Sequence, residues 1–215
     1  MQHETELRGR VSQVVEAFRA AISPEGVGAL ETWVALVAAY GDKIDLTAAR
    51  SADELCDLML ADALVLAGSI PEAARVVDVG SGAGAPGLPL ACARPDLEVT
   101  LVEPKQLRVA TLRSAIGRVF GPGGPLAGRR GPKVVRGKGE EVAERAERFD
   151  VAISRATLPP PEWLELGARL APEGEVWVLL AKAEPPLLAG WRLADDLRYV
   201  WPLTGAERRA ARYTR

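Results

Sequence analysis

The sequence predicts an α/β fold: a doubly wound, mostly parallel sheet with an N-terminal helical extension. Strands that are apolar along their whole length and spaced by helical segments belong to a parallel sheet covered on both faces. Five such runs follow Pro71, at residues 75–80, 98–103, 133–136, 149–154 and 175–181. Ahead of them the apolar spacing is helical. Leu7, Val11, Val14, Val15, Phe18 and Ala21 recur at three and four residues, as do Leu30, Trp33, Val34, Leu36, Val37 and Tyr40. Residues up to 41 therefore read as two amphipathic helices, with Ser23-Pro24-Glu25 as the cap and start of the second. A third is expected from about 52 to 68 on Leu55, Leu58, Met59, Ala63 and Leu66. Residues 117–133 hold six glycines and three prolines and are expected to form a mobile basic loop. The expected organisation is a helical subdomain over 1–70 and a larger α/β domain over 71–215, packed as one unit.

At 215 residues the chain fits one domain. An apolar fraction of 48% against 26% charged can bury a core and excludes a disordered chain. No run reaches the roughly 20 apolar residues of a membrane span, and the start, Met1-Gln2-His3-Glu4-Thr5-Glu6, lacks the basic end and apolar stretch of a signal peptide. A cytoplasmic protein without a membrane partner is expected, acting as a monomer. The two cysteines, Cys56 and Cys92, form no C-x-x-C, and His3 is the only histidine. This sets aside most zinc sites, Ser–His and Cys–His catalysis and a histidine base, and no metal is expected.

The net charge of −2 conceals a segregation. Residues 1–104 carry 7 basic and 16 acidic side chains, whereas 105–138 carry nine basic ones and no acid. The last eleven residues add Arg208, Arg209, Arg212 and Arg215 against Glu207 alone. A like-charged run repels itself unless it is solvated or meets a polyanion. Lys105, Arg108, Arg136, Lys138, Arg208 and Arg209 are therefore candidate contacts to a nucleic-acid backbone.

The chemistry concentrates at Val76-Val-Asp78-Val-Gly80-Ser-Gly82-Ala-Gly84-Ala-Pro86-Gly87, which follows the first strand and opens a helix. Glycines there let backbone approach a ligand at the carboxyl ends of the strands. The string Gly82-x-Gly84-x-x-Gly87 also satisfies a dinucleotide fingerprint, so the glycines alone do not choose between NAD and another cofactor. Their neighbours favour S-adenosylmethionine. Asp78 is awkward beside a pyrophosphate but suits an α-ammonium group, and Glu103, ending the second strand, can accept hydrogen bonds from ribose hydroxyls. A sulfonium methyl is already electrophilic, so transfer to a ring nitrogen with a free lone pair needs orientation rather than a base. Scarcity of histidine is then no obstacle.

The segments Val77-Asp-Val-Gly-Ser-Gly-Ala-Gly-Ala-Pro-Gly-Leu-Pro89, Leu101-Val-Glu-Pro104, Gly137-Lys-Gly-Glu-Glu141, Ser154-Arg-Ala156 and Leu180-Ala-Lys182 resemble, in order, the bacterial small-subunit ribosomal RNA methyltransferase G family, also called glucose-inhibited division protein B. The resemblance implies a Rossmann-like methyltransferase that uses S-adenosylmethionine to methylate guanine N7 in 16S ribosomal RNA of the small subunit. It implies that Gly80 and Ala85, with Asp78, Gly82 and Gly84, line the methionine side of the cofactor. Glu103 would hold the ribose and Gly139 and Glu140 the adenine. Arg155 would serve the cofactor and the target base, and Lys182 would face the same cleft and the RNA, making these two the candidate catalytic residues.

The chain also departs from the family's pattern. Leu58-Met59 stand where the family has Arg-His, Asp45 stands for an asparagine, Lys138 for an arginine, and the 117–133 loop is longer. These departures keep a non-catalytic, cofactor-binding RNA-binding relative as the alternative. A small-molecule methyltransferase and an NAD-dependent oxidoreductase are further rivals, the last lacking an obvious hydride-site acid.

Overall fold

Apolar residues spaced by three and four fold the first third of the chain into α1 (Gln2–Ala17), α2 (Pro24–Gly41) and α3 (Ala52–Ala67). The computed structural model describes residues 2–41, 46–145 and 147–215; Lys43 and Asp45 lie outside them, as does the side chain of His3. Ser23 Oγ accepts from the Gly26 amide at 3.2 Å, with Pro24 as the first helical residue. Ser51 caps α3 by accepting from the Glu54 amide at 3.1 Å, and Asp53 and Glu54 set negative charge in that first turn. Ten residues of α3 are buried, because it packs between α1 and the helix that follows the first strand.

The sheet contains β1 (Arg75–Val79), β2 (Glu98–Glu103), β3 (Lys133–Arg136), β4 (Val151–Arg155), β5 (Glu175–Leu180), β6 (Arg192–Val200) and β7 (Glu207–Thr214). Between them run α4 (Gly87–Ala93), α5 (Gln106–Phe120), α6 (Gly139–Ala143) and α7 (Pro160–Leu170). The strand order is β3-β2-β1-β4-β5-β7-β6. β1 to β5 are parallel to one another, while β7 runs antiparallel to both β5 and β6.

Side chains alternate between the two faces of this sheet. Val76, Val99, Leu101, Val151, Ile153 and Trp177 join one core with Val11, Leu30, Trp33 and Leu60 of the N-terminal helices and with Leu90 and Leu112 of α4 and α5. Val77, Val79, Val102, Ala152, Val176 and Val178 join a second core with Val142 of α6 and Trp163, Leu166 and Leu170 of α7. Each fully buried side chain of this size contributes about 1.5–3 kcal/mol of transfer free energy. The helical extension thus shares its core with one face of the sheet.

Two expectations need correction. α5 continues through Gly117 to Phe120, so the basic loop begins at Gly121, and it is folded rather than loose. Leu126 is 1% exposed, its amide donates to the Val119 carbonyl at 2.9 Å, and turn hydrogen bonds follow at Gly124, Ala127 and Arg129. The second correction concerns β6 and β7, which form a hairpin that the apolar runs did not indicate. The turn is closed by Trp201 N–H to the Ala206 carbonyl and Gly205 N–H to the Trp201 carbonyl, both 2.9 Å. Asp57 of α3, fully buried, accepts from the amides of Leu203 and Thr204 and from the Thr204 hydroxyl, and so ties the hairpin to the helical extension.

Candidate active site

The order of strands reverses between β1 and β4, which opens a crevice at their carboxyl ends. Residues 80–86 fill its floor. Gly80, Gly82 and Gly84 have φ of 75°, 57° and 120°, in the left-handed region where a side chain is strained. A Cβ at Gly80 would also overlap the side chain of Thr157, which follows β4. The turn is pinned at both ends: the amides of Gly80 and Ser81 donate to the Val102 carbonyl, and Ser154 and Thr157 hydroxyls donate to the Val79 carbonyl. Trp33 of α2, fully buried, reaches 50 positions along the chain and donates Nε1–H to the Ala83 carbonyl at 3.1 Å.

Asp78 lies under this turn. Its Oδ2 accepts from the Gly87 amide at 3.0 Å at the start of α4, while Oδ1 is buried without a partner among the described residues. Burial pushes its carboxyl up to about 7, against smaller lowering effects of the Gly87 hydrogen bond, Ser81 and Arg155. Gly87 is required here, since a Cβ would come 2.7 Å from Asp78 Oδ2. Glu103, 2% exposed, accepts from the Gly82 amide at 3.0 Å and the Lys105 amide at 2.9 Å. The carboxylate therefore stands at the rim of the turn with both oxygens oriented by backbone. The Gly137 amide donates to the Glu103 carbonyl, and Gly139 packs so closely on Val79 that a Cβ would lie 2.7 Å from it. Glu103, Gly139 and exposed Glu140 thus flank the second side of the crevice, and Ala85 is buried on the first.

Arg155 ends β4. It forms no ion pair with Asp78 or Glu103. Nη1 instead donates to the Leu58 carbonyl and to Asp62 Oδ2 at 3.2 Å, both on α3. Asp62, 3% exposed, is a hub: its Oδ1 accepts from Tyr199 OH at 2.7 Å and Trp201 Nε1 at 3.3 Å. Burial, then the charge of Asp62, raises the Tyr199 hydroxyl's pKa and keeps it a donor. Arg208 stacks on Trp201, 3.7 Å from the ring centroid. The hub borders an open cavity of about 210 Å³ lined by Leu58, Asp62, Arg155, Leu179, Tyr199 and Trp201. Ala156, with φ of 53°, borders it and a second cavity of about 180 Å³ whose wall includes Lys182.

The remaining basic candidates divide by position. Lys105, Arg136 and Lys138 are exposed where β2 and β3 end, beside Glu103, and Arg108 lies in the first turn of α5. Arg209 stands apart, bound by Asp196 and by Glu184 at 2.7 Å. Sequence spacing does not indicate Trp33, Asp57, Tyr199 or Trp201 as parts of the site. Their contacts join elements 50 to 147 positions apart, beyond any local pattern.

Comparison with known proteins agrees with this geometry. Among solved structures, a TehB-like SAM-dependent methyltransferase from Corynebacterium glutamicum superposes with a TM-score of 0.50 at 16% identity, over 72% of this chain and 86% of that one. TYW2 of M. jannaschii, in complex with AdoMet, gives 0.51 at 14% identity over 72% and 74%. These likenesses show the Rossmann-like methyltransferase fold. Ribosomal RNA small subunit methyltransferase G of Anaeromyxobacter sp. (strain Fw109-5) is 33% identical over 98% of both chains. The protein of the same name in Myxococcus xanthus (strain DK1622) is 34% identical over 80% of both. The profile of the family described as GidB, rRNA small subunit methyltransferase G, matches residues 27–186, and this chain belongs to that family.

Proposed function

We propose that the protein is an S-adenosylmethionine-dependent methyltransferase that modifies guanine N7 in 16S ribosomal RNA. The observation that carries it is the turn at Gly80, Gly82 and Gly84, a cradle without Cβ atoms at the strand-order reversal, with the Glu103 carboxylate at its rim. These residues fit the cofactor: Gly80, Gly82, Gly84 and Ala85 toward its methionine end, Glu103 toward its ribose, and Gly139 and Glu140 toward its adenine. The buried, unpartnered Oδ1 of Asp78 supports a nearby ammonium, while its Oδ2 braces the turn. When bound, S-adenosylmethionine supplies a methyl on a sulfonium, which the N7 lone pair takes while sulfur keeps the bonding pair, so that no proton has to leave the base.

The chain's own residues then bind and orient. Arg155 and Lys182 serve the acceptor side of the crevice. Lys105, Arg108, Arg136, Lys138 and Arg208 hold RNA phosphates, and Arg209 can join them only by giving up its carboxylate partners. The described residues contain no helix long and apolar enough to cross a membrane. A monomer acting in the cytoplasm on the small ribosomal subunit fits this chemistry. The test is mass spectrometry of ribosomal RNA nucleosides from strains with and without the gene. One 7-methylguanosine per small subunit should disappear on deletion and return with the wild-type gene; an unchanged level would overturn the assigned product.

A further inference from the structure

We propose that the cavity of about 210 Å³ between α3, the ends of β4 and β5 and the β6–β7 hairpin receives the acceptor base, turned out of the RNA, and that Asp62 is the positioning residue that aims Arg155 into it. The inference rests on the guanine-methyltransferase reading given above. Enzymes that act on a base place it in a close pocket, stacked on flat or apolar walls and read by hydrogen bonds at its edge. This cavity has those parts. Leu58 and Leu179 form apolar walls, Arg208 and Trp201 a stacked pair, and Arg155 a half-buried donor.

It adjoins the glycine turn through one short segment, since Arg155 and Ala156 border the cavity and Thr157 packs on Gly80. Arg155 spends only Nη1 on Leu58 and Asp62; Nε and Nη2 have no partner among the described residues. Those groups can donate to a guanine O6, leaving N7 unencumbered. Charge supports the assignment further. A guanine methylated at N7 becomes cationic, and a lone guanidinium beside it would oppose the reaction. Paired with Asp62, Arg155 donates hydrogen bonds from a site of little net charge. The neighbouring cavity of about 180 Å³ has no buried charged side chain to fix an edge.

The test uses the full-length protein and small subunits purified from the deletion strain. Wild-type protein must first transfer label to guanine N7; if it does not, the functional reading fails independently of the cavity. Leu58→Trp, which fills the cavity, and Asp62→Asn should each lower kcat by about 100-fold. KM for subunits and the affinity for S-adenosylhomocysteine, read by calorimetry, should stay within about twofold. The double variant Asp62→Asn/Arg155→Lys should be no slower than Arg155→Lys alone, because both changes abolish one arrangement. If Leu58→Trp loses its wild-type melting profile, Ala181→Phe at the exposed mouth replaces it, with the same loss expected. Wild-type turnover in the filled variant, or multiplicative effects of the two changes in the double variant, would overturn the proposal.

Discussion

Asp78 shows how much of the site's behaviour resides in one side chain. Burial holds its carboxyl near pH 7 instead of the 3.8 of an exposed aspartate. Between those values the folded protein retains a proton that the unfolded chain has released, so the contribution of Asp78 to stability is greatest below pH 4 and declines as pH rises to 7. The decline is on the order of 4 kcal/mol. Asp78→Asn keeps an acceptor for the Gly87 amide and removes the titration. Urea midpoints at pH 4.5 and 7.5 should therefore fall with pH more steeply in the wild type than in the variant, and parallel slopes would contradict the burial argument. Gly80 and Gly82 separate strain from overlap in the same turn. At Gly82 an alanine meets only left-handed backbone strain, about 1–2 kcal/mol, since its nearest neighbour is 3.8 Å away. At Gly80 it also displaces Thr157 from the Val79 carbonyl. Gly80→Ala should thus lose S-adenosylhomocysteine binding by calorimetry at least about tenfold, and Gly82→Ala should lose less.

Among the elements, legibility followed burial. β1, β2, β4 and β5 are readable because interior strands with helices on both faces are apolar, whereas β3, at the sheet edge, shows only Val134 and Val135 between two exposed charges. β6 is not readable, because an edge strand carries Arg192, Asp195, Asp196 and Arg198, charges that discourage pairing with another chain and erase the apolar signal. The glycine turn was legible for the opposite reason, since its conformations are local and only glycine adopts them freely. Asp62 and Trp33 act across the fold, and a tryptophan on an apolar helix face carries no mark of the carbonyl it will bind. Leu126 was hidden by the glycines and prolines around it, although its buried side chain anchors that loop to the core. Leu126→Ala should cost about 2–5 kcal/mol and raise amide exchange across residues 121–131. A loop held only by its own turns would show neither change.

For the molecule as a whole, the segregated charge of an acidic protein must coexist with a polyanionic substrate. Its pI of about 5.7 means that attraction to RNA comes from the basic band and not from total charge. Each phosphate neutralised contributes about −0.7 to the slope of log affinity against log salt for single strands, and about −0.9 for B-form duplex. Lys105, Arg136 and Lys138 stand exposed along one rim, next to the strand ends that carry Glu103. Changing all three to alanine should therefore make the slope for small-subunit RNA shallower by about 2–3, with S-adenosylhomocysteine affinity preserved because none of the three side chains shapes the glycine turn. Arg209→Ala is the contrasting case. Its guanidinium is already neutralised by Asp196 and Glu184, so ion release on RNA binding is small and the slope should change by less than about 0.5. Filter binding from low to moderate salt reads both. A triple variant with the wild-type slope would move the phosphate track away from β2 and β3, whereas a large effect at Arg209 would mean that RNA displaces the two carboxylates on binding.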